Sequence, residues 1–125
     1  MLYKNILLID DDRDDAEIFM QAADRLNKGV ALRWYQNPEL ALEDLKCADN
    51  LPDLIFLDYN MPKINGLEML EELKSEKKLK DIPVILISTP SQEFMRELLE
   101  KKKIIQYISK PNSFNDLIKV LGTVL

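Results

Sequence analysis

Three short runs along the chain are apolar at consecutive positions: Ile6 to Ile9, Leu54 to Leu57 and Val84 to Ile87. Strands covered on both faces need such runs, as in a parallel sheet flanked by helices. Two further candidates differ. Val30, Leu32 and Trp34 alternate with Ala31, Arg33 and Tyr35, and Ile104 to Ile108 is interrupted by Gln106 and Tyr107. These two read as the edges of the sheet. Between the strands the spacing turns helical: Phe19, Ala22, Ala23 and Leu26; Ala41, Leu45 and Ala48; Leu67, Leu70 and Leu73; Phe94, Leu98 and Leu99; Phe114, Leu117, Ile118 and Leu121. Strand and helix therefore alternate five times.

Start signals agree with this division. Asp12 can cap the first helix, Asn37 precedes Pro38 at a first-turn position, Asn65 has Glu68 three residues on, and Thr89 precedes Pro90 with Gln92 completing a capping-box pattern. Right-handed crossovers and edge-like second and fifth strands favour an α/β fold, a doubly wound five-stranded parallel sheet in the order 2-1-3-4-5 with five helices. The 125 residues suit one domain spanning 1–125.

Composition then narrows the chemistry. With 22 acidic and 17 basic residues the net charge is -5, which repels a phosphate backbone and argues against direct nucleic-acid binding. No apolar run approaches a bilayer span, and Met1 opens onto a charged segment rather than a signal sequence, so a cytoplasmic protein without membrane insertion is expected. The chain contains no histidine, which removes Ser/His and Cys/His pairs, a conventional zinc site and a phosphohistidine carrier. Any metal must be hard and oxygen-bound. Three glycines are too few for a Gly-rich phosphate loop. The lone Cys47, among Leu42, Leu45 and Ala48, reads as a small buried hydrophobe rather than a reactive thiol.

In a doubly wound sheet, ligands bind beyond the carboxyl ends of the strands. Those ends carry Asp10, Asp11 and Asp12 on the first strand, Asp58 on the third, Ser88 and Thr89 on the fourth, and Lys110 on the fifth. Helix capping accounts for Asp12, Asp14 and Asp15. It does not account for Asp58, which follows a wholly apolar strand. Carboxylates at Asp10, Asp11 and Asp58, if ~5 Å apart, would repel pairwise by roughly 3 kcal/mol at an effective dielectric near 20. Protonation or a divalent cation relieves this, and Mg²⁺, which leaves positions for phosphate oxygens, suits a partly open three-acid rim. Lys110 is either a solvated surface group or the positive charge of that rim; its place at a strand end favours the latter.

These residues carry a resemblance. The acidic pair Asp10-Asp11, the stretch Asp58-Tyr59-Asn60-Met61-Pro62-Lys63-Ile64-Asn65-Gly66, the hydroxyl of Ser88 and the pair Lys110-Pro111 fall in the order and on the elements of a response regulator receiver domain, over essentially the full chain. The resemblance is to the stand-alone type of two-component signalling, with a flavodoxin-like sheet. It implies phosphoryl acceptance at Asp58, Mg²⁺ held by Asp11, Asp58 and the Asn60 carbonyl with Asp10 acting through a water, and phosphate contacts from Lys110, Ser88 and the Thr89 N–H. It further implies a conformational switch through Ser88 and Tyr107, a cis Lys110-Pro111 bond, and partners in a histidine kinase or histidine phosphotransfer protein and a downstream protein target. Tyr107 reads equally well as an ordinary edge residue with its hydroxyl in water.

The chain departs from the family pattern in two places. Lys101-Lys102-Lys103-Ile104-Ile105 replaces the usual Gly-Ala turn before the fifth strand, and Thr89 stands where a small residue is common. The lysines are read as solvated and favourable to a helix C-terminus. The leading expectation is a signalling domain that assists its own phosphorylation and dephosphorylation rather than an enzyme with a separate substrate. The alternatives are a phosphorylation-independent adaptor of the same fold, and a haloacid-dehalogenase-like phosphatase. The phosphatase needs a second acid where this chain has Asn60.

Overall fold

The computed structural model describes residues 3–59, 61, 66–88, 94–101, 103–109 and 113–125, apart from the side chains at positions 88, 94, 95 and 97. Strand and helix alternate: β1 (Asn5–Ile9), α1 (Arg13–Leu26), β2 (Ala31–Tyr35), α2 (Pro38–Cys47), β3 (Leu54–Asp58), α3 (Gly66–Ser75), β4 (Val84–Ser88), α4 (Phe94–Glu100), β5 (Gln106–Ser109) and α5 (Phe114–Val124). All strand pairs are parallel, and the sheet order is β2-β1-β3-β4-β5. The expected topology is the observed one.

The unbroken apolar runs have a direct cause in the layering. Along β1, Leu7 and Ile9 join one core with Ala41 and Leu45 of α2 and Met69, Leu70 and Leu73 of α3. Ile6 and Leu8 join the other, with Phe19 of α1 and Leu121 of α5. Successive side chains leave opposite faces of a strand, so a strand between two helical layers is apolar at every position. Phe56 is fully buried on the α1/α5 side and meets Phe19 edge-on, with ring centroids 4.9 Å apart. The edge strands β2 and β5 carry exposed or half-buried residues among their apolar ones, as their alternation predicts.

Local signals operate as expected where they are described. Asp12 caps α1 by accepting from the N–H groups of Asp14 and Asp15, and Asn37 caps α2 by accepting from those of Glu39 and Leu40, with Pro38 in the first turn. Asn65, Thr89, Pro90 and Gln92 lie outside the described residues.

Cys47 requires a correction, for it is exposed. The helix buries Pro38, Ala41 and Leu45. Two residues past Leu45 the helix has turned about 200°, which carries Cys47 to the solvent side. Lysine ammonium groups also tie down main-chain carbonyls: Lys78 donates to those of Lys46 and Ala48 at the C-terminal end of α2, and Lys74 of α3 to those of Lys80 and Ile82 in the turn before β4. Partial burial holds the Lys74 pKa below the usual lysine value.

Candidate phosphoryl-acceptor and metal site

Strand register sets the site. Ile9 lies opposite Leu57, so the residue after each strand partner, Asp10 on one chain segment and Asp58 on the next, stands at the same height. Asp58 in turn lies opposite Ile87, and Ser88 opposite Ser109. Each polar position is thus placed by the hydrogen-bonded ladder of its neighbour.

The three acids meet. Asp10, Asp11 and Asp58 each offer a carboxylate oxygen, and these oxygens lie within 4.8 Å of one another. Asp58 is 1% exposed and Asp10 4%, the buried charged residues among those described, while Asp11 is half-buried at the mouth. The Asp10 carboxylate accepts from the Asp12 N–H at 2.9 Å, which turns the chain into α1. At this spacing each pair of ionised carboxylates repels by about 3 kcal/mol in a medium of effective dielectric 20. Hard oxygen donors, crowded and partly open to solvent, form a donor set that fits a divalent cation such as Mg²⁺.

The end of β3 is held from beyond as well. The Tyr59 N–H donates to the Ile87 carbonyl at 2.8 Å, and its own carbonyl accepts from the Gly66 N–H at 2.9 Å. Gly66 sits where any side chain would strike this segment: a β-carbon there would be 2.5 Å from Tyr59 Cα and 3.0 Å from the Asp58 carbonyl oxygen. That contact gives a physical reason for the glycine closing the Asp58-to-Gly66 stretch.

The sequence reading missed two contacts to this loop. The Trp34 indole N–H donates to the Asp10 main-chain carbonyl at 2.7 Å, and the Gln36 side-chain amide to that of Asp11 at 3.3 Å. Alternation puts 34 and 36 on one face of an extended segment, but only the β1–β2 pairing reveals what that face meets. Ser88 ends β4 beside the acids by its main chain, and Tyr107 on β5 is 37% exposed. Lys110, Pro111, Asn60 and Thr89 lie outside the described residues, and with them the expected cis Lys110-Pro111 bond.

Comparison with known proteins decides the family. The model of the response regulator receiver domain matches residues 6–122. The chain belongs to this family. It is 30% identical over 123 residues to the probable methanogenesis regulatory protein FilR2 of Methanothrix harundinacea, covering 95% of this chain and 79% of that one. Several further curated relatives are much longer, the match spanning 53%, 14% or 4% of them. The phosphorylated cyanobacterial phytochrome response regulator RcpA superposes with a TM-score of 0.84 at 27% identity, over 98% of this chain and 91% of that one. The Mn²⁺-bound form of response regulator Rcp1 gives 0.82 at 27% identity, over 97% and 91%. This receiver is therefore a two-component signalling domain, and its acidic cluster has the composition to bind a metal. Among the described residues no helix is long and apolar enough to cross a membrane.

Proposed function

We propose that Asp58 accepts a phosphoryl group from a histidine kinase or histidine phosphotransfer protein, with Mg²⁺ held by Asp11, Asp58 and the Asn60 carbonyl, and by Asp10 through a water. The observation that carries this reading is the convergence of three carboxylates from two adjacent strands within 4.8 Å, with Asp58 at the closed end. A carboxylate is already ionised at neutral pH and attacks phosphorus without a general base, so a chain lacking histidine has what the step requires. An Asp58 oxygen forms the new bond to phosphorus. The phosphorus–nitrogen bond of the donor's phosphohistidine breaks, and the imidazole nitrogen keeps the electron pair.

A divalent cation bound by these acids would supply positive charge that neutralises the phosphoryl oxygens. Lys110 adds a second positive charge, and Ser88 with the Thr89 N–H supplies hydrogen bonds to the same group. A bound phosphoryl group shifts the receiver between two states only through contacts made better in one of them. Ser88 is the group drawn towards it, and Tyr107, solvent-facing on β5, is the group that turns inward behind Ser88. The altered surface then signals to a downstream protein in the cytoplasm, without nucleic-acid contact.

The test is incubation with Mg²⁺ and a small acyl phosphate, or with a phosphohistidine protein, followed by intact mass measurement. One added phosphoryl group is expected, and Asp58→Asn removes it. Labelling that survives this substitution would dismiss Asp58 as the acceptor.

A further inference from the structure

Uncharged residues hold one side of the acidic loop. Trp34, the chain's single tryptophan, is half-buried, and its indole N–H bonds the main-chain carbonyl of Asp10 at 2.7 Å. Gln36, two positions on, bonds the carbonyl of Asp11 at 3.3 Å. Between them the Tyr35 carbonyl accepts from the Asp10 N–H at 3.2 Å. The peptide groups of both acids are thereby tied to the end of β2, on an element that supplies none of the carboxylates.

We infer that Trp34 and Gln36 are positioning residues for the cation site, acting through the peptides from which the Asp10 and Asp11 side chains project. The inference rests on the reading of the three acids as a divalent-cation site. Without the ion the crowded carboxylates push the loop outward, and a loop free to yield must be drawn back when an ion binds. The hydrogen bonds from Trp34 on β2 and from Gln36 just past it oppose that displacement beforehand. Losing them transfers the cost of ordering to the binding step, so the loss is read in cation affinity more than in fold stability.

A single net hydrogen bond predicts about three- to tenfold weaker binding for Trp34→Phe, which keeps an aromatic body but loses the N–H donor. Gln36→Leu is expected to weaken binding in the same direction by a smaller factor. Because Gln36 is exposed, this variant keeps the fold even if Trp34→Phe does not.

Binding is measured by the paramagnetic resonance of free Mn²⁺ during titration of the wild type, both variants and Asp58→Asn. The single indole N–H resonance of the wild type is followed separately as Mg²⁺ is added. The inference expects weaker Mn²⁺ binding in both variants, and an indole resonance that shifts with Mg²⁺ in the wild type but not in Asp58→Asn, a signature that a packing role alone would not produce. Wild-type binding with unchanged affinity in both variants, or an indole resonance indifferent to Mg²⁺, overturns the inference and leaves the metal reading intact. Absence of Mn²⁺ binding in the wild type overturns both.

Discussion

Replacing Gly66 by alanine tests the coupling between α3 and β3, whose end carries the proposed acceptor Asp58. The added carbon would stand 2.5 Å from Tyr59 Cα, 3.0 Å from the Asp58 carbonyl oxygen and 3.2 Å from Tyr59 Cβ. Non-bonded carbons settle near 3.5–4.0 Å, so relief takes a relative displacement of about 1 Å. The two nearest atoms are backbone, and no side-chain rotation removes the clash. Overpacking of this kind costs about 1–3 kcal/mol, against a helix-propensity gain of at most about 1 kcal/mol for alanine over glycine. The displaced segment carries Asp58 itself, and a misplacement of about 1 Å at a reacting group can slow a step by roughly a hundredfold. Urea denaturation reads the first effect, and the rate of phosphorylation by a small acyl phosphate followed by mass spectrometry reads the second. Gly122→Ala is the internal control, because its added carbon meets only Leu26 Cδ2, at an ordinary 3.6 Å, within α5. Stability and rate in Gly66→Ala both as close to wild type as in Gly122→Ala would refute the reasoning.

Other positions give sharper single readouts. Phe56→Ala removes a fully buried ring and its edge-on contact with Phe19, and is expected to cost about 3–5 kcal/mol in urea denaturation. Asn37→Ala leaves the N–H groups of Glu39 and Leu40 without their cap, a loss of about 1 kcal/mol by the same measurement. The Asp53 carboxylate accepts from the N–H groups of Asn5 and Lys4, which hold its pKa below the ordinary value. Its contribution is therefore present above the unfolded-state pKa of about 3.9 and fades as pH falls through the lower folded value. The stability gap between wild type and Asp53→Asn should be open at neutral pH and close in that acid range; a gap independent of pH would contradict the assignment.

The layering was legible in the sequence because it depends on local periodicity: a strand covered twice must be apolar at each step, and Ile6 to Ile9 is. The acids were legible because Asp10, Asp11 and Asp58 sit at strand ends whose height a parallel sheet equalises. What the chain concealed was partnership across the fold. Nothing near Trp34 announces that its indole reaches a peptide 24 positions earlier, since that contact exists only once β1 and β2 lie side by side. Cys47 was misread for the opposite reason. Its neighbours Leu42, Leu45 and Ala48 follow the helical stripe, but Cys47 falls off it, and proximity in sequence does not make a shared face.

The register between β1, β3, β4 and β5 has a consequence for how this molecule can vary. The heights of Asp10, Asp58 and Ser88 along the sheet follow from the pairing of adjoining strands. Whole strand-and-helix units exchanged with another member should therefore preserve chemistry when the joints fall at the opposite rim. A single residue inserted within β3 would instead rotate Asp58 to the other side of the sheet, away from Asp10 and Asp11, while leaving the outline recognisable.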